Sequence, residues 1–140
     1  MYYHFSIKRQ EGIYKALCCE LPISQVSANS YETLKEMMVD ELNIYLSDKT
    51  KKIFLPEEYP EFLNGNIQRI GISHYLAFSV LLRYTRDKNG ITQKTAAKKM
   101  GYTSTWAYQR LEQNANPCIS TIKKVIELFP DYPIYHLFKR

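Results

Sequence analysis

A chain of 140 residues and 16.5 kDa holds one ordinary domain or two small ones and excludes a large two-lobed enzyme. Its 45% hydrophobic, 14% aromatic and 24% charged residues can build a core, which excludes a disordered tail and a collagen-like or low-complexity chain. The net charge of +5 is unevenly divided: residues 1–66 carry 7 Lys+Arg against 10 Asp+Glu, whereas residues 67–140 carry 12 against 4, so a polyanion partner suits the second half and a different one, such as a basic protein, the first, the alternative being merely uneven surface charge.

The opening MYYHFSIKRQEG lacks the basic, apolar, small-residue order of a signal peptide, and no run of about 18 apolar residues follows, so a cytoplasmic address and no membrane contact are expected. Tyr3, Phe5 and Ile7 alternate with His4, Ser6 and Lys8, the period of a half-buried strand. A second apolar run, Ile13 to Cys19, follows Gln10-Glu11-Gly12, so the two read as a hairpin. Cys18, Cys19 and Cys118 make an odd count, and the adjacent pair would point to opposite faces of a strand, which suits neither a disulfide framework nor a zinc site. They are expected to pack as small hydrophobes.

Leu21-Pro22 breaks the second strand, and Ser24 to Ala28 supplies a short third. Ser30 then caps a helix to about Ser47, with Leu34, Met38, Leu42 and Tyr45 in one apolar stripe and Met37 and Met38 as gap-filling core. From Asp48 to Asn66 the periodicity stops in a stretch holding Pro56, Pro60 and Asn64-Gly65, which reads as connecting chain. Ile67 to Ile72 is a fourth strand, and Ser73 caps a strongly apolar helix from His74 to about Lys88, ended by Asn89-Gly90.

The segment ITQKTAAKKMGYTSTWAYQRLEQ is the most specific signal. Thr92 caps a short helix whose Ala96 and Ala97 admit a close crossing, and Gly101 stands at a tight turn. A second helix runs from Ser104 or Thr105 to Gln113, burying Tyr108 and Leu111, and after Asn116-Pro117 a further one runs from a Ser120 cap to Phe129. Four helices with a close-packed central pair make a helix-turn-helix bundle.

In such a bundle the second helix enters the major groove and the first crosses the backbone. The expected DNA-binding residues are Thr92, Gln93 and Lys94 on the first helix and Ser104, Thr105, Trp106, Gln109 and Arg110 on the second, with Lys98 as a further phosphate contact, though a solvated helix face also explains the two lysines. Gln reads adenine and Arg guanine by paired hydrogen bonds, while Trp106 is equally a core residue or a contact to a thymine methyl or the backbone.

Ile91-Thr92-Gln93, Ala96-Ala97, Gly101, Leu111-Glu112, Asn116-Pro117 and Ser120-Thr121-Ile122 stand in the order of the lambda-repressor-like DNA-binding family, which this segment resembles, with one residue more than the common pattern between Gly101 and Glu112. The whole chain resembles the HicB antitoxin family, through Glu11-Gly12-Ile13-Tyr14, Leu21-Pro22, Ser30 with the helix ending Ile44-Tyr45-Leu46, the proline-bearing linker at 48–66 and the appended bundle. That resemblance implies an α+β chain: residues 1–72 as a partial ribonuclease-H-like β-β-β-α-β domain that binds and covers a HicA-type RNA-cleaving toxin, and residues 73–140 as an all-α DNA-binding domain that represses the operon. A single such bundle contacts too little DNA for tight specific binding, so a homodimer or higher homo-oligomer is expected.

No catalytic residue, metal ligand or cofactor is expected. An active ribonuclease-H-like fold needs carboxylates on adjacent strands, whereas the first strand has none and Glu11 and Glu20 only flank the second. His4, His74 and His136 lie far apart with no Cys-His or Ser-His-Asp arrangement. Glu36, Asp40 and Glu41 would meet a basic toxin, though a solvated helix face explains them equally, and no toxin contact is assigned; residues 1 to about 66 are expected to suffice for toxin binding. The alternative is a stand-alone repressor whose N-terminal domain senses a ligand or dimerises.

Overall fold

Two residues in the left-handed region, Glu11 at φ 52° and Gly12 at φ 79°, reverse the chain between β1 (Tyr2–Gln10) and β2 (Ile13–Cys18). A two-residue turn of that sign matches the twist of its strands and sets the register from Gln10 opposite Ile13 to Phe5 opposite Cys18. The computed structural model describes residues 1–57 and 66–139, and the chain divides into two units, Met1–Ile72 and Ser73–Arg140.

In the first unit β3 (Val26–Ala28) and β4 (Ile67–Gly71) complete an antiparallel sheet ordered β3-β2-β1-β4. The register puts Tyr3 beside Ile70, Phe5 beside Cys18 and Ala16 beside Val26, and all six are buried. Helix α1 (Tyr31–Ser47) packs on the sheet with Leu34, Met38, Leu42, Tyr45 and Leu46; its Ser30 cap accepts from the Thr33 amide at 3.2 Å. Of the two adjacent methionines, Met38 is buried and Met37 only half-buried.

The stretch after α1 is less free than its lost periodicity suggests. Tyr45 Oη donates to the Lys52 carbonyl at 2.9 Å, Tyr3 Oη donates to the Phe54 carbonyl at 3.0 Å, and Ile53 and Pro56 are buried. Residues 48–57 are therefore fastened to the first unit, while Pro60 and Asn64-Gly65 lie outside the described residues. Because β4 pairs with β1 over five positions, a fragment ending at 66 lacks an edge strand of this sheet.

The fold also assembles a group that sequence separation concealed. Glu20, beyond the end of β2, accepts from the His4 backbone amide at 3.0 Å, and its other oxygen lies 2.5 Å from His4 Nδ1, with the Cys18 thiol 3.9 Å away. The thiol's partner here is Glu20, and His4 gains a carboxylate neighbour that the sequence did not foretell. Desolvation pushes the Cys18 thiol up to about 11, the reverse of what an activated nucleophile needs, so the cluster reads as a satisfied buried polar group. Of the three cysteines only Cys18 packs as expected; Cys19 and Cys118 are exposed.

The second unit is helical: α2 (His74–Lys88), α3 (Gln93–Lys99), α4 (Thr105–Gln109) and α5 (Ile119–Leu128), with 3-10 turns at Arg110–Glu112 and Ile134–Leu137. Ser73, Thr92 and Ser104 cap α2, α3 and α4 by accepting from the amides of Leu76, Thr95 and Ala107. At the end of α3, Gly101 takes φ 77°, and its amide and that of Tyr102 donate to the carbonyls of Lys98 and Ala97. This double closure needs a left-handed residue, which is why a glycine stands there.

Two expectations for this unit are corrected. The fourth helix does not run to Gln113: it tightens at Arg110, where Ser79 Oγ donates to the Leu111 carbonyl at 2.7 Å and accepts from the Ala115 amide at 2.9 Å. Glu112 is buried there while Leu111 is only half-buried. Likewise α5 begins at Ile119 rather than after a Ser120 cap; Cys118 occupies the cap position, and the Thr121 and Ile122 amides donate to its carbonyl.

Candidate nucleic-acid interface

The central pair of helices is held by a polar network built around Glu112. Arg86, near the end of α2, donates from Nε to Glu112 Oε1 at 2.6 Å and from Nη2 to Oε2 at 3.2 Å, and from Nη1 to the Ile91 carbonyl at 3.1 Å. Burial works against the Arg86 charge, but the hydrogen bonds and charge of Glu112 outweigh it and hold its pKa above the ordinary value. Gln93, the first residue of α3, donates to Glu112 Oε2 at 2.8 Å and accepts from Gln109 Nε2 at 3.2 Å. One carboxylate thereby links α2, α3 and α4. Burial first, and then the Glu112 charge, push the nearby Tyr108 hydroxyl well above its usual range, so it stays protonated.

The eight expected DNA-binding residues are distributed as follows. Thr92 and Ser104 occupy cap positions, where each hydroxyl already accepts from a backbone amide. Gln93 is half-buried and commits one of its two N–H groups to Glu112, so it is a strut between helices as well as a surface group. Lys94 is exposed and lines a shallow basic concavity with Thr95, Lys98 and Lys99. Thr105 and Gln109 are half-buried, and Arg110 is exposed.

Trp106, for which a core role was an equal expectation, is 63% exposed. It stands one turn before Arg110, whose guanidinium carbon lies 4.9 Å from its ring centroid. With Tyr108 and Glu112 turned inward, Trp106 and Arg110 occupy the outward side of α4. Sequence reasoning reached these residues but missed Arg86 and Glu112. A usable signal was present: an acidic residue four positions after a core tyrosine lies on the buried side of a helix and needs a cation there.

This geometry, two short capped helices joined by a glycine turn with a cationic outer surface, is that of a DNA-binding helix-turn-helix. Residues 82–137 match the helix-turn-helix family model, a match that supports the lambda-repressor-like type and DNA-binding transcription regulation. No curated protein matches the chain. No helix among the described residues is long and apolar enough to cross a membrane.

Proposed function

We propose that this chain is a HicB-type antitoxin: a non-enzymatic, cytoplasmic regulator whose residues 73–140 bind operator DNA and repress its own operon, and whose residues 1–72 bind and neutralise a HicA-type RNA-cleaving toxin. The observation that carries the DNA half is the outward face of α4, where Trp106 and Arg110 are exposed beside the lysines of α3. The recognition helix reads base edges from such a face, with Gln109 and Thr105 at its margin and Lys94, Lys98 and Lys99 on phosphates.

The antitoxin half is supported by the β-β-β-α-β order of the first unit, the order expected of a partial ribonuclease-H-like domain, and by the acidic Glu36, Asp40 and Glu41 on α1 as a counterpart for a basic toxin. A homodimer is supported by α5, on which Ile119 and Ile126 lie seven residues apart and are 85% and 39% exposed.

The decisive experiment co-expresses the full chain with the product of the neighbouring gene, which this reading expects to be a small basic protein. A stable complex and restored growth support the antitoxin reading; separate elution with no rescue sinks it and leaves DNA regulation standing. One observation favours the second reading, a ligand-sensing repressor: a cavity of about 280 Å³ in the first unit, lined by Arg9, Tyr14, Tyr31 and Gln68 among others. Operator affinity that changes with small anionic aromatic compounds, without any protein partner, would support it.

A further inference from the structure

The paired exposure of Trp106 and Arg110 specifies more than a cationic face. A guanidinium is a flat group with two faces and its N–H donors around the edge. The Arg110 guanidinium carbon lies 4.9 Å from the Trp106 ring centroid, and a face-on cation–π placement at that distance would occupy one face and restrict rotation. Its edge and its opposite face remain for the ligand. Among the described residues no carboxylate is paired with Arg110, whereas Arg86 of the same unit has its donors committed to Glu112, Asp87 and the Ile91 carbonyl. In the major groove guanine alone offers two adjacent acceptors, O6 and N7, to that edge. An Arg bound in the guanine plane turns its faces along the duplex axis. Trp106 covers one; the other meets the neighbouring base pair, where a pyrimidine C5-methyl on the 5′ side fills the gap with an apolar surface.

We propose that Trp106 and Arg110 form a single reading head for a thymine–guanine step, Arg110 bonding the guanine and its stacked faces selecting the 5′ methyl group. The inference rests on α4 being the base-reading helix. It makes Trp106 a specificity residue, and it predicts that 5-methylcytosine replaces the thymine while unmodified cytosine does not, because methyl and not base identity is read.

The test takes the full chain and a pool of random duplexes, selects bound sequences, and then edits the selected duplex. A thymine–guanine step is expected in each half-site. Replacing that thymine by deoxyuracil, which removes only the methyl, should weaken binding roughly fourfold, the burial of one such group; 5-methylcytosine should bind like thymine. Arg110→Lys should lose about tenfold of the guanine preference, because an ammonium lacks the flat two-donor edge and the stacking face of a guanidinium. Trp106→Ala should abolish the thymine–deoxyuracil difference while leaving the salt dependence unchanged, and Trp106→Phe should restore part of it. Circular dichroism of each variant confirms that this exposed position has not unfolded the unit. A selected motif without the step, equal affinity for thymine and deoxyuracil, or a methyl effect that survives Trp106→Ala would overturn the reading head and leave DNA recognition by α4 intact. Failure to enrich any sequence would remove both.

Discussion

At the scale of single residues, Glu112 decides how α3 and α4 are held. Its carboxylate is 2% exposed and Arg86 13%, so removing one partner leaves a charge with little water to replace it. Glu112→Ala should therefore cost on the order of 3 kcal/mol in denaturant unfolding, and Glu112→Met combined with Arg86→Met should cost less than the two single changes summed. Strict additivity would mean that the pair is not coupled. Cysteine chemistry offers an independent check. Hydroxyl hydrogen bonds from Ser120 and then Thr121 lower the exposed Cys118 thiol to about 7, whereas desolvation raises Cys18 to about 11. The thiolate is the nucleophile, so it accumulates as pH rises through each value. Iodoacetamide labelling followed by mass spectrometry should find Cys118 half-maximally reactive near pH 7 and Cys18 protected in the folded protein; Ser120→Ala should move the Cys118 profile to higher pH. Fast labelling of Cys18 at neutral pH would contradict the burial on which its shift depends.

At the scale of elements, what was legible in the sequence is what local chemistry determines. The Ser30, Ser73 and Thr92 caps are each followed by the amide they bond three residues on, and the Gly12 and Gly101 turns sit where the backbone takes positive φ. The end of α4 was not legible, because Ser79, more than thirty residues earlier, holds the Leu111 carbonyl and the Ala115 amide. His4 and Glu20 meet only because the β1–β2 register brings the end of β2 back beside the start of β1. In the candidate site, Trp106 and Arg110 follow from helical spacing, but exposure of the tryptophan is settled by tertiary packing that leaves Tyr108 inside. The hairpin offers a direct test of local control. Glu11 sits at φ 52°, which asparagine tolerates better, so Glu11→Asn should stabilise the first unit by about 0.5 kcal/mol. Gly12→Ala, at φ 79° with open space around the added carbon, should destabilise it by about 1 kcal/mol from backbone strain alone. Thermal unfolding of the two variants checks the pair, and a stabilising Gly12→Ala would refute the turn geometry.

At the scale of the whole molecule, the division into Met1–Ile72 and Ser73–Arg140 coincides with a change in charge: residues 73–140 hold 11 Lys+Arg against 4 Asp+Glu, and residues 1–72 hold 8 against 10. Counterion release makes DNA affinity fall with salt in proportion to the phosphates neutralised, roughly 0.9 of a unit of logarithmic slope per contact. If the contacts come from α3 and α4, the isolated fragment 73–140 should show the salt slope of the full chain within about one unit, since an acidic first unit supplies no phosphate contact. Each of Lys94→Ala and Lys98→Ala should then flatten that slope by about one unit and weaken all sequences alike, whereas Arg110→Ala should also relax the preference at one base pair. If the chain dimerises through α5, as proposed, a second dependence follows. Ile126→Glu places a charge on the exposed apolar stripe, so it should give a monomer by sedimentation and lose affinity for an inverted repeat far more than for a single half-site. Fluorescence anisotropy titrations of the full chain, the fragment and these variants, at several salt concentrations on one duplex, separate the contributions. A fragment with a much shallower slope than the full chain would place phosphate contacts in residues 1–72, where Lys8, Lys15 and Arg69 lie on the strands. The assignment of one partner to each unit would then be wrong.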